Sequence, residues 1–523
     1  MIERVSKYIR VVIIAWICLV CGINVRAVYR SPLLITVTVE GLSDEYLEVL
    51  SPYFGKEGLR KIMDSSLYYH TVDYGPGVDA VAAEAILHTG AAPTVNGISA
   101  ATVYDADSGR ARHSLYDDSQ IGNFTDLTLS PAAILSSTIA DELKINTSGE
   151  AYVISLAPSA HGAIIASGHA GNSAFWIDDI TGAWASTAYY RDVPRTVTDY
   201  NYRTPLNGKL DTLRWTPVIA PELFPSFART SLKGGFSHTF PRKAADRIER
   251  FKTTPMVNTE IVNMAIQLLK TTRLGRDESP DMLNLTLRLD TSGRTEMERA
   301  DAYLRLDRDL SRLMSEAQLI TGADNVTLVV TGVPGKLTAQ RDYRAWNVPA
   351  GDFSVRKAVS LLNLYLIAVH GNGDWVKGYH RRHFYLNRQL IKERNLDLNQ
   401  FRSEVADFLA RMSGVSSVYT IDSVIAGRIG DNPQALRRNT SVAHSGDVII
   451  EVSPGWVITD ENLADTELSP YAAESYPFFI SGPGIGARRV TSPVDARAIA
   501  PMISRAMHIN APNGATIPSP SLK

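Results

Sequence analysis

The chain has 523 residues with a formal net charge of −2; 45% of residues are hydrophobic and 21% charged. That is the balance of a large globular protein with ample material for a core. The near-neutral charge gives no field to draw in nucleic acid or an anionic membrane, so nucleic-acid binding is excluded as a leading reading.

Arg4, Lys7 and Arg10 precede an apolar run from Val11 to Val20, and Val25-Arg26-Ala27 follows with small residues at the −3 and −1 positions of a cleavage site. This order predicts a secretory signal peptide over 1–27. The run is short for a membrane span, and no other long apolar run follows. An uncleaved anchor, or lipidation at Cys21, are the alternatives. Both cysteines, Cys18 and Cys21, lie in this leader, so neither disulfide nor thiol chemistry is expected beyond it. An exported protein of a bacterial periplasm or outer-membrane surface is the expected setting.

Apolar runs at Leu33–Val39, Ala151–Leu156, Met282–Leu289, Val326–Val330, Leu364–Val369, Asp447–Val452 and Phe478–Ile480 read as strands buried on both faces. Helical patterns alternate with them: Pro131–Leu143 after Ser130, Val257–Leu269, Glu296–Ile320, Phe401–Met412 and Ala496–Met507. The alternation predicts an α/β fold, a three-layer α/β/α sandwich around a mostly parallel central sheet. Two stretches break the rhythm. Residues 167–240 are rich in aromatics and prolines, and 336–438 mixes short strands with the basic cluster His380-Arg381-Arg382-His383. Both are expected to be cap insertions in a domain spanning 28–510, with a flexible tail over 511–523. A separate second domain is the alternative for 336–438.

Several segments, in order, carry one signature. Leu33–Glu40 runs into Gly41-Leu42-Ser43-Asp44. His88-Thr89-Gly90 leads to Asn96-Gly97-Ile98. Ser167-Gly168-His169-Ala170-Gly171, Asp301–Leu310, Ser445-Gly446-Asp447-Val448 and Pro454-Gly455-Trp456 follow. Together they resemble the alkaline phosphatase superfamily, in the branch of exported bacterial alkaline phosphatases that overlaps the type I phosphodiesterases and nucleotide pyrophosphatases. Such enzymes clamp a phosphoryl group between two zinc ions about 4 Å apart, using Asp and His ligands and a Ser or Thr nucleophile.

The resemblance places those roles on unsuitable residues. The nucleophile position falls at Ala80. The metal-ligand positions fall at Glu40, Asp290, Arg294, Val333, Pro334 and Glu467, and the phosphate contacts at Ala101, Ser159 and His161. Only Asp290 is unchanged. The expectation is therefore a pseudoenzyme with no cofactor, a salt bridge from Arg294 to Asp290 or Glu40 occupying the former zinc centre, and Glu40 with Asp290 as the residual positions for a divalent cation. The expected role is binding or scaffolding in the cell envelope, with another envelope protein as partner. The alternatives are a divergent metal-dependent phosphomonoesterase or phosphodiesterase, with Asp79 or an activated water attacking, and an anion or carbohydrate binder using the cleft through Arg294 and His161.

Other candidates have blander accounts. Glu40, Asp79 and Glu84 make a hard-cation cluster only if they converge. His88, His161 and His169 read first as hydrogen-bonded structural residues. Gly332 to Gly335 reads as a turn rather than an anion loop, Arg381-Arg382 as a solvated face, and the aromatics of 167–240 as packing.

Overall fold

The computed structural model describes residues 32–105, 108–229, 234–289, 294–335, 347–428, 432–461, 465–469 and 474–523. The expected leader, its cysteines and Asp290 lie outside the described residues. No helix among the described residues is long and apolar enough to cross a membrane.

Ten strands form the central sheet. Its middle is five parallel strands in the order Val326–Val333, Leu33–Glu40, Asp281–Arg288, Val153–Ala157, Ser173–Ile177. Antiparallel strands flank them: Phe478–Ser481 on one side, and Trp184–Thr187 and then Gly122–Asn123 on the other. The middle strands are apolar at nearly every position because helices cover both faces. Ile35, Val37 and Val39 pack with the helices Met256–Thr271 and Glu296–Thr321 on one face. Leu34, Met282 and Val329 pack with Ala80–Thr89, Ile139–Asn146 and Ile499–Met507 on the other. This is the expected three-layer sandwich.

One row of buried polar groups crosses the sheet. Thr36, Asn284 and Ser155 stand side by side on adjacent strands. Thr36 Oγ1 donates to Asn284 Oδ1 (2.5 Å), Asn284 Nδ2 donates to Ser155 Oγ (3.0 Å), and Ser167 Oγ also donates to Ser155 Oγ (2.8 Å).

Several expectations need correction. Within 167–240, Ser173–Ile177 and Trp184–Thr187 are strands of the central sheet, and Val197, Leu206, Leu210, Phe224 and Phe240 pack into the core layer of the helices Met256–Thr271 and Glu296–Thr321 rather than over the sheet's edge. The anchor of this stretch is the fully buried Asp301, which accepts from Trp215 Nε1–H (2.6 Å) and the Val218 N–H (2.5 Å). The cap is a single inserted unit running from 352 to 468, past the expected end at 438. It has two small sheets and its own core around Phe353, Leu362, Leu366, Trp375, Phe384 and Phe401. The strand Val448–Val452 belongs to this unit and not to the central sheet. Leu364–Val369 lies in the helix Val355–His370. Pro131–Ala133 is one 3₁₀ turn, and the helix begins only at Ile139, where Thr138 and Asp141 form a capping box. The tail expected to be flexible is packed: Leu522 is buried, the Leu522 C=O accepts from the Gly486 N–H (2.9 Å), and Asn513 and Ser137 exchange two hydrogen bonds.

Candidate functional site

The carboxyl edge of the parallel strands is where side chains from several elements converge. Glu40 ends the first strand, and its Cα neighbours are Arg288 and Val333, the last residues of the two adjacent strands. Matching register points the two charged side chains the same way. Arg288 donates to Glu40 Oε2 from Nη2 (2.9 Å) and Nε (3.3 Å). The carboxylate of Glu40 is therefore held by Arg288, and not by Arg294 as expected. Arg294 lies elsewhere: its Nη2 donates to the Thr253 C=O and Oγ1 (both 2.9 Å), its guanidinium sits 5.0 Å over the Trp215 ring, and Glu298 is 3.9 Å away. The expected pair with Glu40 is therefore not formed, and Asp290, the other expected partner, lies outside the described residues.

The backbone next to Glu40 is tightly turned. Gly41 has φ +75°, and its N–H donates to the Val333 C=O (2.8 Å). A Cβ on Gly335 would meet the Gly41 Cα at 2.9 Å, so glycine is required for the two turns to nest. Val333 is fully buried, and neither it nor Pro334 has a side-chain donor atom. The Gly332 N–H and C=O are both used, by the Pro477 C=O (2.8 Å) and the Tyr74 hydroxyl (2.6 Å). Gly332 and Val333 are therefore the end of the strand rather than a turn, with both backbone polar groups of Gly332 already bonded.

Glu84 projects from the helix Ala80–Thr89 beneath this edge and is 2% exposed. Thr286 Oγ1 donates to it (2.6 Å). Burial first, and then the nearby Glu40 carboxylate, push the Glu84 carboxyl up to about 8, so it is a neutral acid at pH 7. Ala80 opens the helix and brings only a methyl group. Asp79 before it is the N-cap: Oδ1 accepts from the Ala82 N–H (2.8 Å), while Oδ2 accepts from the Ala101 N–H (3.1 Å) and from Arg381 Nη1 (2.9 Å). A carboxylate so engaged is a cap and a counter-ion rather than a poised nucleophile.

Ala101 and His161 do meet. His161 Nε2–H donates to the Ala101 C=O (2.7 Å) and lies 3.2 Å from Ser114 Oγ. Its ring stacks on His113, with centroids 3.6 Å apart and planes 7° from parallel. Burial lowers His161 to about 4, so it is neutral. Ser159 sits at the N-cap of the helix Ala160–Ser167 without a side-chain capping bond. Glu467 is far from its expected role: it lies on a cap strand and pairs with Arg382 (2.6 Å). His88 is buried in the helix with Nδ1 unpartnered, and His169 bonds Asp141 (2.9 Å) and the Ile134 C=O (2.9 Å). Neither contacts the edge residues.

Among the described residues no three or more His, Cys, Asp or Glu side chains are grouped to hold a metal ion. The donor chemistry explains this. Glu40 is tied to a guanidinium, Glu84 is protonated, Asp79 caps a helix and faces Arg381, and Ala80, Val333 and Pro334 have no ligand atoms. These residues do not fit the dinuclear zinc centre that the resemblance implies. One arginine, Arg288, was missed from sequence, and a second, Arg381, was read only as part of a solvated face. Arg288 was signalled by a charge closing an apolar strand at the register of Glu40. Arg381 had no local signal, because its partner Asp79 is 302 positions away (381 minus 79).

The type I phosphodiesterase / nucleotide pyrophosphatase family model matches residues 34–476. A protein named calcium-transporting ATPase from Myroides odoratus is 25% identical over 516 residues, covering 93% of each chain. Alkaline phosphatase PafA from Elizabethkingia meningoseptica is 24% identical over 525 residues, covering 94% of each. The crystal structure of wild-type alkaline phosphatase PafA shares the fold with a TM-score of 0.82 at 23% identity, over 94% of this chain and 98% of that one.

Proposed function

The chain belongs to the type I phosphodiesterase / nucleotide pyrophosphatase family, in the alkaline phosphatase superfamily, and from that premise we propose that it is a pseudoenzyme. It keeps the family's sheet and cap but carries no phosphoryl-transfer chemistry, and it serves as a binding or scaffolding component of the cell envelope. The observation that carries this reading is the Glu40–Arg288 ion pair at the end of the first strand, with a methyl group at Ala80. A guanidinium is permanently charged, so it neutralises Glu40 without a metal. Fold and activity are separable, and the two-faced core does not depend on a bound ion. The basic, apolar N-terminal segment supports export.

Metal analysis of the purified protein, together with assays on chromogenic phosphate mono- and diesters with and without added zinc, tests the proposal. It is upheld by substoichiometric zinc and by turnover no faster than an Arg288→Ala, Glu40→Ala control preparation. Stoichiometric zinc, or turnover abolished in that control, sinks it. The alkaline phosphatases among its relatives favour a second reading, a divergent phosphate-ester hydrolase, and zinc-dependent turnover in the same assay would establish it.

A further inference from the structure

The cap meets the rest of the molecule in part through a hairpin, Val376–His380 and His383–Leu386, joined by the two-residue turn Arg381-Arg382; Asn439 makes a separate contact, donating to the Tyr74 and Pro76 carbonyls (3.1 and 3.0 Å). Both turn residues have positive φ, +49° and +69°. This conformation suits Asn-Gly and costs other residues on the order of 1–2 kcal/mol each. The hairpin lies against a second one, Thr102–Asp105 and Arg110–His113. Tyr104 Oη donates to the Lys377 C=O (3.0 Å), and its ring lies 4.3 Å from Tyr385. His380 Nε2 bonds Thr102 Oγ1 (3.0 Å), and Arg381 crosses to Asp79 (2.9 Å).

Four imidazoles meet at this contact, His113 and His161 from the body and His380 and His383 from the cap, and a fifth, His444 of the cap, lies within electrostatic reach of Arg112 of the body hairpin. The charged groups facing them are mostly cationic. Arg381 acts on His161, His380 and His383, and Arg382 on His383. The opposing anions are Asp79, tied to Arg381, and Asp460, which acts on His380. Glu451 and Glu467 are spent on Arg382.

We propose that this contact is an acid-released latch: protonation of the stacked His113–His161 pair and of His380 and His383 separates the cap hairpin from the body. The latch is independent of whether the protein turns over any ester. A second proton on the stacked pair would set two cations 3.6 Å apart beside Arg381. His161 would keep its bond to Ala101, whereas His113 Nδ1, which accepts from the Leu115 N–H (3.2 Å), and His383 Nδ1, which accepts from the Gly446 N–H (3.2 Å), would lose theirs. Burial already lowers His113 to about 3 and His161 and His383 to about 4, and it lowers His380 as well. Imidazoles depressed in the closed state bind protons more readily when exposed, so opening is favoured progressively as pH falls below the ordinary histidine value of about 6.5.

Hydrogen–deuterium exchange of the intact protein, corrected for intrinsic rate, tests the latch between about pH 7.5 and about pH 4.5. Peptides covering 376–386 and 101–114 are expected to exchange about tenfold faster at the acid end, while 33–40 and 281–288 stay protected. A His113→Gln, His161→Gln variant is expected to lose that acceleration. Should it not fold, His380→Gln serves, with a reduced acceleration expected. Latch and sheet peptides that respond in parallel, latch peptides that do not respond, or an acceleration unchanged in the variant would each overturn the proposal.

Discussion

Glu40 and Arg288 are Cα partners on neighbouring parallel strands, and their side chains meet 2.9 Å apart at the carboxyl edge of the sheet. The pair is partly buried, beside the neutral acid of Glu84. Removing one partner leaves a charge without its neighbour in a place of restricted solvation. Arg288→Met is expected to cost about 2 kcal/mol, between the values for exposed and buried pairs. Denaturant unfolding of the variant checks this, and an unchanged midpoint would mean that the pair is ornamental.

Glu84 predicts a pH dependence. Its carboxyl is raised to about 8 in the folded chain, against an ordinary value near 4.5. A raised carboxyl binds its proton more tightly in the folded state. The stability it lends is complete below the ordinary value and is lost as pH rises through about 8. Glu84→Gln, which keeps a hydrogen-bonding group beside Thr286, should therefore gain on the wild type as pH is raised from about 5 to about 8, and hold that gain above it. Parallel pH profiles of unfolding would contradict this.

His169 runs with the same sign from a different cause. Its bond to Asp141, and then the Asp141 charge, raise its pKa despite partial burial. Both ring nitrogens lie on acceptors, the Asp141 carboxylate and the Ile134 C=O, which the imidazolium satisfies together. Asp141 is in turn lowered, with its bonds from His169 and the Thr138 and Ala170 N–H groups outweighing burial. The pair's contribution is present between the lowered carboxyl and the raised imidazole. It is lost in acid as Asp141 protonates and in base as His169 deprotonates. His169→Gln should show its largest deficit in that window and converge on the wild type above it, measured by unfolding at several pH values.

The two turn arginines should respond unequally. Arg381 is 40% exposed on its side chain, so its pair with Asp79 contributes modestly and roughly offsets its backbone strain. Arg381→Gly is expected within about 0.5 kcal/mol of wild type. Arg382 joins Glu451 on one cap sheet to Glu467 on the other and is less exposed. Arg382→Gly relieves the same strain yet strands two carboxylates, and is expected to cost about 2 kcal/mol net. Thermal unfolding of both variants decides, and equal losses would remove the distinction.

The sandwich was readable because its strands are apolar on both faces, as in Leu33–Val39 and Met282–Leu289. The cap was less so. In the helix Val355–His370 one face packs through Leu362 and Leu366 while Leu361 and Leu364 stay exposed, so the run is apolar all round and lacks helical contrast. Val448–Val452 has a strand's composition, but composition does not say which sheet a strand joins. The site was legible in what it lacks. At the positions the resemblance selects, Ala80, Val333 and Pro334 have no donor atom on their side chains, and that is read without a structure. The partner of Glu40 was hidden, since Arg294 is the residue a motif alignment selects and Arg288 is the residue that strand register selects.

The row Thr36, Asn284, Ser155 bears on how the chain finds its sheet. The first and fourth of the parallel central strands to be made, 33–40 and 281–288, are separated by some 240 residues (281 minus 40) and are greasy enough to slide past each other. Sliding by one position turns Asn284 to the opposite face, and sliding by two sets its amide against Leu34 or Thr38 instead of Thr36. Displacement toward Leu34 strands a buried amide at a cost of about 1–3 kcal/mol. A single asparagine thus proofreads an alignment that oily side chains alone would leave degenerate.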